Sequence, residues 1–229
     1  MLFADRIDAG QRLAELLGGY RSESPVVVAL PRGGVPVGYE VARALGAPLD
    51  VCVVRKIGHR DQPELGLGAV AEGGVVHVDR QLMRMVGATE AEVAATAERE
   101  SRVIDERVRK FRRGRAPLDL HDRAVILVDD GIATGGTTRA AVRALRERGA
   151  SRVILAVPVA ASQSLEALTP LVDEVVCIES TPYLGAIGFF YDDFTQVSDY
   201  EVTELLSQAD AWSEGPRAEP SGLDPHPGP

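Results

Sequence analysis

Val125-Ile-Leu-Val-Asp129-Asp130-Gly131-Ile132-Ala133-Thr134-Gly135-Gly136-Thr137-Thr138 is the stretch of this chain that decides its fold. Ala124–Val128 is a continuous apolar run of strand length, and helix-period residues follow over about Thr137–Arg148, stopped by Gly149. A strand that is apolar throughout is buried on both faces, as in a parallel sheet. It delivers two adjacent carboxylates to its C-terminal edge, where ligands bind in open α/β sheets. The Thr/Gly-rich turn then gathers backbone N–H groups and hydroxyls at a helix N-terminus, an anion site suited to a phosphate monoester. Asp129 and Asp130 repel phosphate and fit instead as acceptors for hydroxyls beside it, such as those of a ribose. The plain alternative is a glycine-bearing strand-to-helix turn with solvated acids.

The same alternation extends in both directions. Pro25–Leu30 is a β-branched strand, Val35–Leu45 a helix closed by Gly46, and Leu49–Val54 a second strand. Ala69–Ala71 and Val75–Val78, joined by Glu72-Gly73-Gly74, read as a short hairpin. Val153–Val157 and Glu174–Ile178 are further strands, separated by the helix-like Gln163–Leu168. Such alternation predicts an α/β fold with a doubly wound, mainly parallel sheet. Thr89–Phe111 has apolar residues at Val93, Ala97, Ile104, Val108 and Phe111 with no Gly or Pro, which predicts a long inserted helix over about 89–112. Gly215–Pro229 holds five prolines and three glycines, so residues 213–229 are expected to be a disordered tail behind a single domain of 1–212.

Composition narrows the function classes. The 229 residues carry 25 Lys+Arg against 34 Asp+Glu, a net charge of −9, with 45% hydrophobic residues. That excludes global disorder, and the acidity speaks against general nucleic-acid binding. Val153–Ala161, the longest apolar stretch, has nine residues and a proline, far short of a membrane span. Met1–Gly10 has no apolar signal core. The expectation is a soluble cytoplasmic protein in which Cys52 and Cys177 are reduced, buried strand thiols. His59, His77, His121 and His226 lack ligand spacing, so no zinc site is expected.

Gly131–Thr138 also approaches the nucleotide-triphosphate loop, but Thr137 stands where that loop has its lysine. No strand end carries the dinucleotide fingerprint. The pattern Asp129-Asp130-x-x-Ala-Thr-Gly-Gly-Thr after four apolar residues instead resembles the 5-phosphoribosyl-1-diphosphate (PRPP) signature of type I phosphoribosyltransferases. The resemblance implies that Asp129 and Asp130 accept from the ribose hydroxyls. It also implies that Ala133, Thr134, Gly135, Gly136, Thr137 and Thr138 hold the 5′-phosphate. Leu30-Pro31-Arg32-Gly33-Gly34 is similar to the diphosphate loop of the family, which often contains a cis peptide. There Gly33 and Gly34 would let the backbone approach, and Arg32 would make bidentate contacts. Arg55-Lys56 resembles the pair preceding the mobile catalytic loop of orotate and adenine enzymes. By that likeness Ile57–Gly68 would be a mobile twelve-residue loop and Lys56 would face the diphosphate or the α-phosphate. Gln62-Pro63-Glu64-Leu65 and Tyr191-x-x-Phe194-x-Gln196-Val197 narrow the resemblance to a branch without an assigned base.

The implied activity is transfer of the 5-phosphoribosyl group of PRPP to a nitrogenous base or amine with release of diphosphate. Asp129, Asp130, Lys56 and Arg32 would carry the chemistry. Mg2+ would ride on PRPP, with Asp129 and Asp130 as candidate protein ligands, and the family implies a homodimer. Around a core of about 25–180, segments 1–20 and 182–200 would form a hood. There Phe190 and Tyr191 would stack a base, and Asp192 or Asp193 would accept from its amines. Hypoxanthine–guanine enzymes carry an Asp at the position of Ala133, which sets 6-oxopurines aside. The rival reading is a catalytically idle PRPP-sensing regulator. It would use the basic stretch 98–115, with eight Arg+Lys against four Asp+Glu, as its effector surface. A solvated helix face is the plain reading of that stretch.

Overall fold

The computed structural model describes residues 2–62 and 65–213. Pro63 and Glu64 of the Gln62–Leu65 motif and residues 214–229 of the expected tail lie outside the described residues. In chain order the elements are α1 (Arg6–Leu16), β1 (Val26–Ala29), α2 (Gly34–Leu45), β2 (Leu49–Val51), β3 (Val54–Gly58), β4 (Gly66–Ala71) and β5 (Val75–Val78). Then come α3 (Arg80–Met85), α4 (Glu90–Arg112), β6 (Ala124–Val128), α5 (Gly136–Glu147), β7 (Arg152–Ala161), α6 (Ser162–Leu168), β8 (Glu174–Thr181) and α7 (Asp199–Ser213).

Five strands form the main sheet in the order β2-β1-β6-β7-β8, every neighbouring pair parallel. The strand residues divide between two cores in strict alternation. Val27, Ala29, Ile126, Val128, Ile154 and Ala156 face one core with Leu13, Val41, Ile104 and Leu206. Val26, Val28, Val125, Leu127, Val153 and Leu155 face the other with Ala141, Leu145 and Leu168. Helices therefore cover both faces, and the period of two in each strand is hidden because both sides are apolar. The strand order runs one way from β1 to β2 and the other way from β6 to β8, so the switch point lies between β1 and β6.

A second sheet departs from the expected course. The strand read as Leu49–Val54 ends at Val51, and Val54 opens β3 of an antiparallel sheet β3-β4-β5. The expected loop Ile57–Gly68 is correspondingly the far part of a hairpin, with Ile57 opposite Gly68 and wholly buried. Its glycines mislead when read as loop residues. A methyl on Gly68 would stand 2.1 Å from the His77 carbonyl oxygen of β5, so this glycine serves close strand approach. Cys52 lies between β2 and β3 rather than within a strand, while Cys177 is in β8. β7 continues through Pro158 to Ala161, pairing with β8 on either side of it at Val157↔Cys177 and Val159↔Glu179.

α4 is the inserted long helix. Thr89 and Glu92 close its N-terminus reciprocally, side chain to backbone. At its far end Arg112 is 2% exposed and donates to Asp50 (2.8 Å) and to Glu72, tying α4 to β2 and to the β4–β5 turn. A small third core of Phe3, Ala9, Val159, Leu184 and Tyr191 joins the N-terminal residues to the segment that precedes α7. There the backbone N–H groups of Leu2 and Phe3 both donate to the Phe190 carbonyl. Among the described residues, no helix is long and apolar enough to cross a membrane.

Candidate functional site

Because Ala29 of β1 sits beside Val128 of β6, the loops that leave these strands run side by side across the switch point. The Leu30 N–H donates to the Val128 carbonyl at 2.9 Å. Two motifs quoted separately from the sequence thereby become one site. A methyl on Gly33 would stand 1.9 Å from Oδ2 of Asp130, and one on Gly34 would stand 2.9 Å from Cα of Asp129. The Pro31–Arg32 peptide is cis.

The two carboxylates differ in their surroundings. The Asp130 backbone N–H donates to Oδ1 of Asp129 at 2.9 Å. Burial, with the negative charge of Asp130 beside it, pushes the Asp129 carboxyl well above the usual carboxylate range. Asp130 is 9% exposed and has a cation of its own. Nε of Arg6 lies 2.8 Å from its Oδ2, the same guanidinium donates to the Thr195 carbonyl, and it stacks 3.9 Å from the centre of the Phe194 ring.

Downstream, Gly135 caps α5 with φ +73°, a conformation that favours glycine, and no side chain caps the first turn. Ala133, Thr134, Gly136 and Thr137 are exposed around this uncapped helix start, a geometry suited to an anion. Thr138 is buried behind it. Lys56, His77 and Arg139 join Thr134, Gly136 and Thr137 around one cavity of about 380 Å³. The Nδ1 atom of His77 is buried there without a hydrogen-bond partner, and burial with Arg143 and Arg139 lowers its pKa. Arg55 turns to the long helix, its Nε 2.9 Å from Glu100. It borders a separate cavity of about 510 Å³ with Lys56, Arg60 and Arg99. Arg32 lies 3.6 Å from Asp199 at the start of α7.

The residues expected to hold a base separate. Tyr191 is 1% exposed, its ring packed on Phe3 and Phe194 and its hydroxyl donating to the Asp130 carbonyl at 2.6 Å. So placed, it buttresses the carboxylate loop and leaves no ring face for stacking. Phe190 is half-buried, and Asp192 and Asp193 are exposed. Asp193 accepts from the Thr195 backbone and hydroxyl, which hold it below the usual carboxylate range. A methyl on Gly131 would stand 2.6 Å from Ile187, so the turn Ile187–Phe190 leans directly on the carboxylate loop.

Most basic residues of the stretch 98–115 pair with acids of this same chain, and Arg112 alone among those paired is buried. Arg99 pairs with Glu100, Arg102 with Glu98, Lys110 with Asp199, Arg112 with Asp50 and Glu72, Arg113 with Glu204, and Arg115 with Asp210. Arg6, Arg139 and Asp199 were missed by sequence reading. Arg6 and Asp199 act across a distance in sequence that no local motif records, whereas Arg139 directly follows the Ala133–Thr138 turn.

The family model described as the phosphoribosyl transferase domain matches residues 5–193. The chain belongs to that family. Two curated proteins of Mycobacterium tuberculosis, provisionally named phosphoribosyl transferases, are 43% identical over 208 residues, 91% of this chain and 47% of each relative. The chain thus spans about half the length of these relatives. A uracil phosphoribosyltransferase of Lactobacillus gasseri is 31% identical over 176 residues, covering 73% of this chain and 80% of its own. The crystal structure of a Thermus thermophilus protein superposes with a TM-score of 0.79 at 41% identity, covering 91% of this phosphoribosyl transferase domain and 99% of that chain. The doubly wound sheet, the long helix and the small hood are therefore those of a phosphoribosyl transferase fold.

Proposed function

We propose that this domain transfers the 5-phosphoribosyl group of PRPP to a nitrogenous acceptor and releases diphosphate. The observation that carries this reading is the contact of Gly33 with Asp130 at the switch point, which sets the glycine loop after β1 against the acid pair after β6. The 5′-phosphate would sit on the uncapped start of α5, at Ala133–Thr137. Its ribose hydroxyls would donate to Asp129 and Asp130. The diphosphate would lie along Gly33–Gly34, with Arg32 and Lys56 neutralising it as it leaves.

Attack of the acceptor nitrogen on C1 of the ribose breaks the bond from C1 to the diphosphate oxygen, and positive charge grows on the ring as it does so. Carboxylates fixed beside the hydroxyls stabilise that charge in advance, with no reorganisation at the moment of reaction. The β3–β4 hairpin, which carries Lys56 to the cavity, would exclude water and so prevent hydrolysis. A divalent cation fits this arrangement. Among the described residues no group of three or more His, Cys, Asp or Glu side chains could cage a metal, whereas burial beside Asp130 disfavours the charged form of Asp129, a penalty that a cation would relieve. Mg2+ arriving on PRPP, with Asp129 and Asp130 as its protein oxygens, would supply charge neutralisation of the diphosphate.

The acceptor would lie against the Ile187–Phe190 turn, the aromatic segment that borders the carboxylates, with the exposed Asp192 beside it. Ala133 offers no carboxylate there, so the panel of acceptors extends beyond 6-oxopurines. The test is incubation with Mg-PRPP and single purines, pyrimidines (uracil among them) and small amines, followed by diphosphate release and product mass. Release with one acceptor and a matching N-ribosyl 5′-phosphate is the expected result. Release without any acceptor would make the domain a hydrolase, and tight PRPP binding with no release would make it a PRPP sensor.

A further inference from the structure

The carboxylate of Asp199, at the first position of α7, faces cations from two other parts of the chain, the loop after β1 and the long helix α4. Oδ1 lies 3.6 Å from the Arg32 guanidinium of the loop after β1. Oδ2 accepts from Nζ of Lys110 at 2.7 Å. Arg107, one turn before Lys110 on the same face of α4, adds its charge. Arg32 and Lys110 thus share this one carboxylate, with the charge of Arg107 beside them, on a chain of net charge −9. A diphosphate carries more charge and more acceptor oxygens than one carboxylate, so it is the better partner for this set.

We propose that Arg107 and Lys110 of the long helix belong, with Arg32, to the subsite that receives the diphosphate, and that Asp199 holds these cations in the ligand's place until it arrives. The inference rests on the PRPP reading above. It gives the basic end of α4 a role at the site in place of an effector surface. It also makes α7 a responsive element, because an arriving diphosphate repels Asp199 and competes for its partners. The backbone contacts around residue 199 do not need its carboxylate. Its backbone carbonyl accepts from Thr203, and the turn before it is closed by Ser198, whose hydroxyl accepts from the Glu201 N–H.

The test is calorimetric titration of inorganic diphosphate, and separately of ribose 5-phosphate, into the whole chain and three variants: Asp199→Asn, Lys110→Gln and Arg107→Gln/Lys110→Gln. Thermal melts confirm that each is folded. Removing the competing carboxylate is expected to tighten diphosphate about fivefold, a shift of about 1 kcal/mol, and losing Lys110 to weaken it about tenfold. The double variant should weaken it further, while ribose 5-phosphate, read by the start of α5, should stay within about twofold. Diphosphate affinity unchanged or weakened in Asp199→Asn would overturn the proposal, as would equal losses of both ligands in Lys110→Gln. Failure of the unaltered chain to bind either ligand would instead count against the PRPP reading itself.

Discussion

Gly33 and Asp130 touch: the space where a side chain on residue 33 would begin is already filled by the carboxylate, whose Oδ2 is 1.9 Å from an ideal Cβ. Alanine cannot be accommodated there without moving the loop after β1 or the acid after β6. Gly33→Ala should therefore lower PRPP affinity by roughly tenfold or more and cost about 1–3 kcal/mol of stability, as overpacking does. Gly19→Ala is the control, since nothing lies within 4 Å of its Cβ. Equal PRPP affinity in the two variants, measured by calorimetry, would show that the contact is incidental.

Asp129 is a source of instability at neutral pH. Burial and the charge of Asp130 raise its pKa in the folded state above that of the unfolded chain. A group shifted in this direction favours folding fully below its unfolded pKa of about 4, and that contribution is lost as pH rises through the folded value. Asp129→Asn should accordingly gain stability at neutral pH, about 0.5–2 kcal/mol, while losing PRPP binding. The gain should shrink as the solution is acidified toward pH ~4. Urea denaturation of both proteins at several pH values reads this directly, and an Asn variant that is less stable at pH 7 would contradict it.

Arg112 is the opposite case, a buried charge that the fold requires. Its guanidinium donates to Asp50 at 2.8 and 3.1 Å and to the Val51 carbonyl at 3.0 Å, and the Asp50 carboxylate is itself only 3% exposed. Arg112→Ala leaves that carboxylate buried without its cation, which costs about 3–5 kcal/mol. The melting temperature should fall by roughly 6–20 °C for a domain of this size. Arg112→Lys should not restore it, because an ammonium cannot span Asp50 and Glu72 together. A melting temperature within 2 °C of the parent (roughly the loss from 1 kcal/mol or less) would show that the network is dispensable.

What was legible in the sequence was local. Val125–Thr138 announces a buried strand, an acid pair and a glycine turn because all three lie within a single β–α unit. Pro31–Gly34 is legible for the same reason. What was hidden depends on partners brought in from afar. Arg6 reaches Asp130 across 124 positions, and in sequence it is one charge behind a helix cap. Tyr191 reads as an aromatic free to stack, yet Phe3 from the other end of the chain buries it. Arg112 and Arg115 read as a basic surface because their acids, Asp50, Glu72 and Asp210, belong to other elements. The glycines at 66 and 68 signal a loop by composition, and only the neighbouring strand shows that Gly68 serves close contact.

The central claim is that the acid pair after β6 and the start of α5 form a PRPP site, and calorimetric titration of Mg-PRPP tests it most directly. The unaltered chain should show saturable one-to-one binding at or below millimolar ligand. Asp129→Asn/Asp130→Asn should bind roughly a hundredfold more weakly while remaining folded, since it loses charged acceptors for the ribose hydroxyls. Absence of binding by the unaltered chain at millimolar Mg-PRPP, or equal binding by the double variant, would contradict the account.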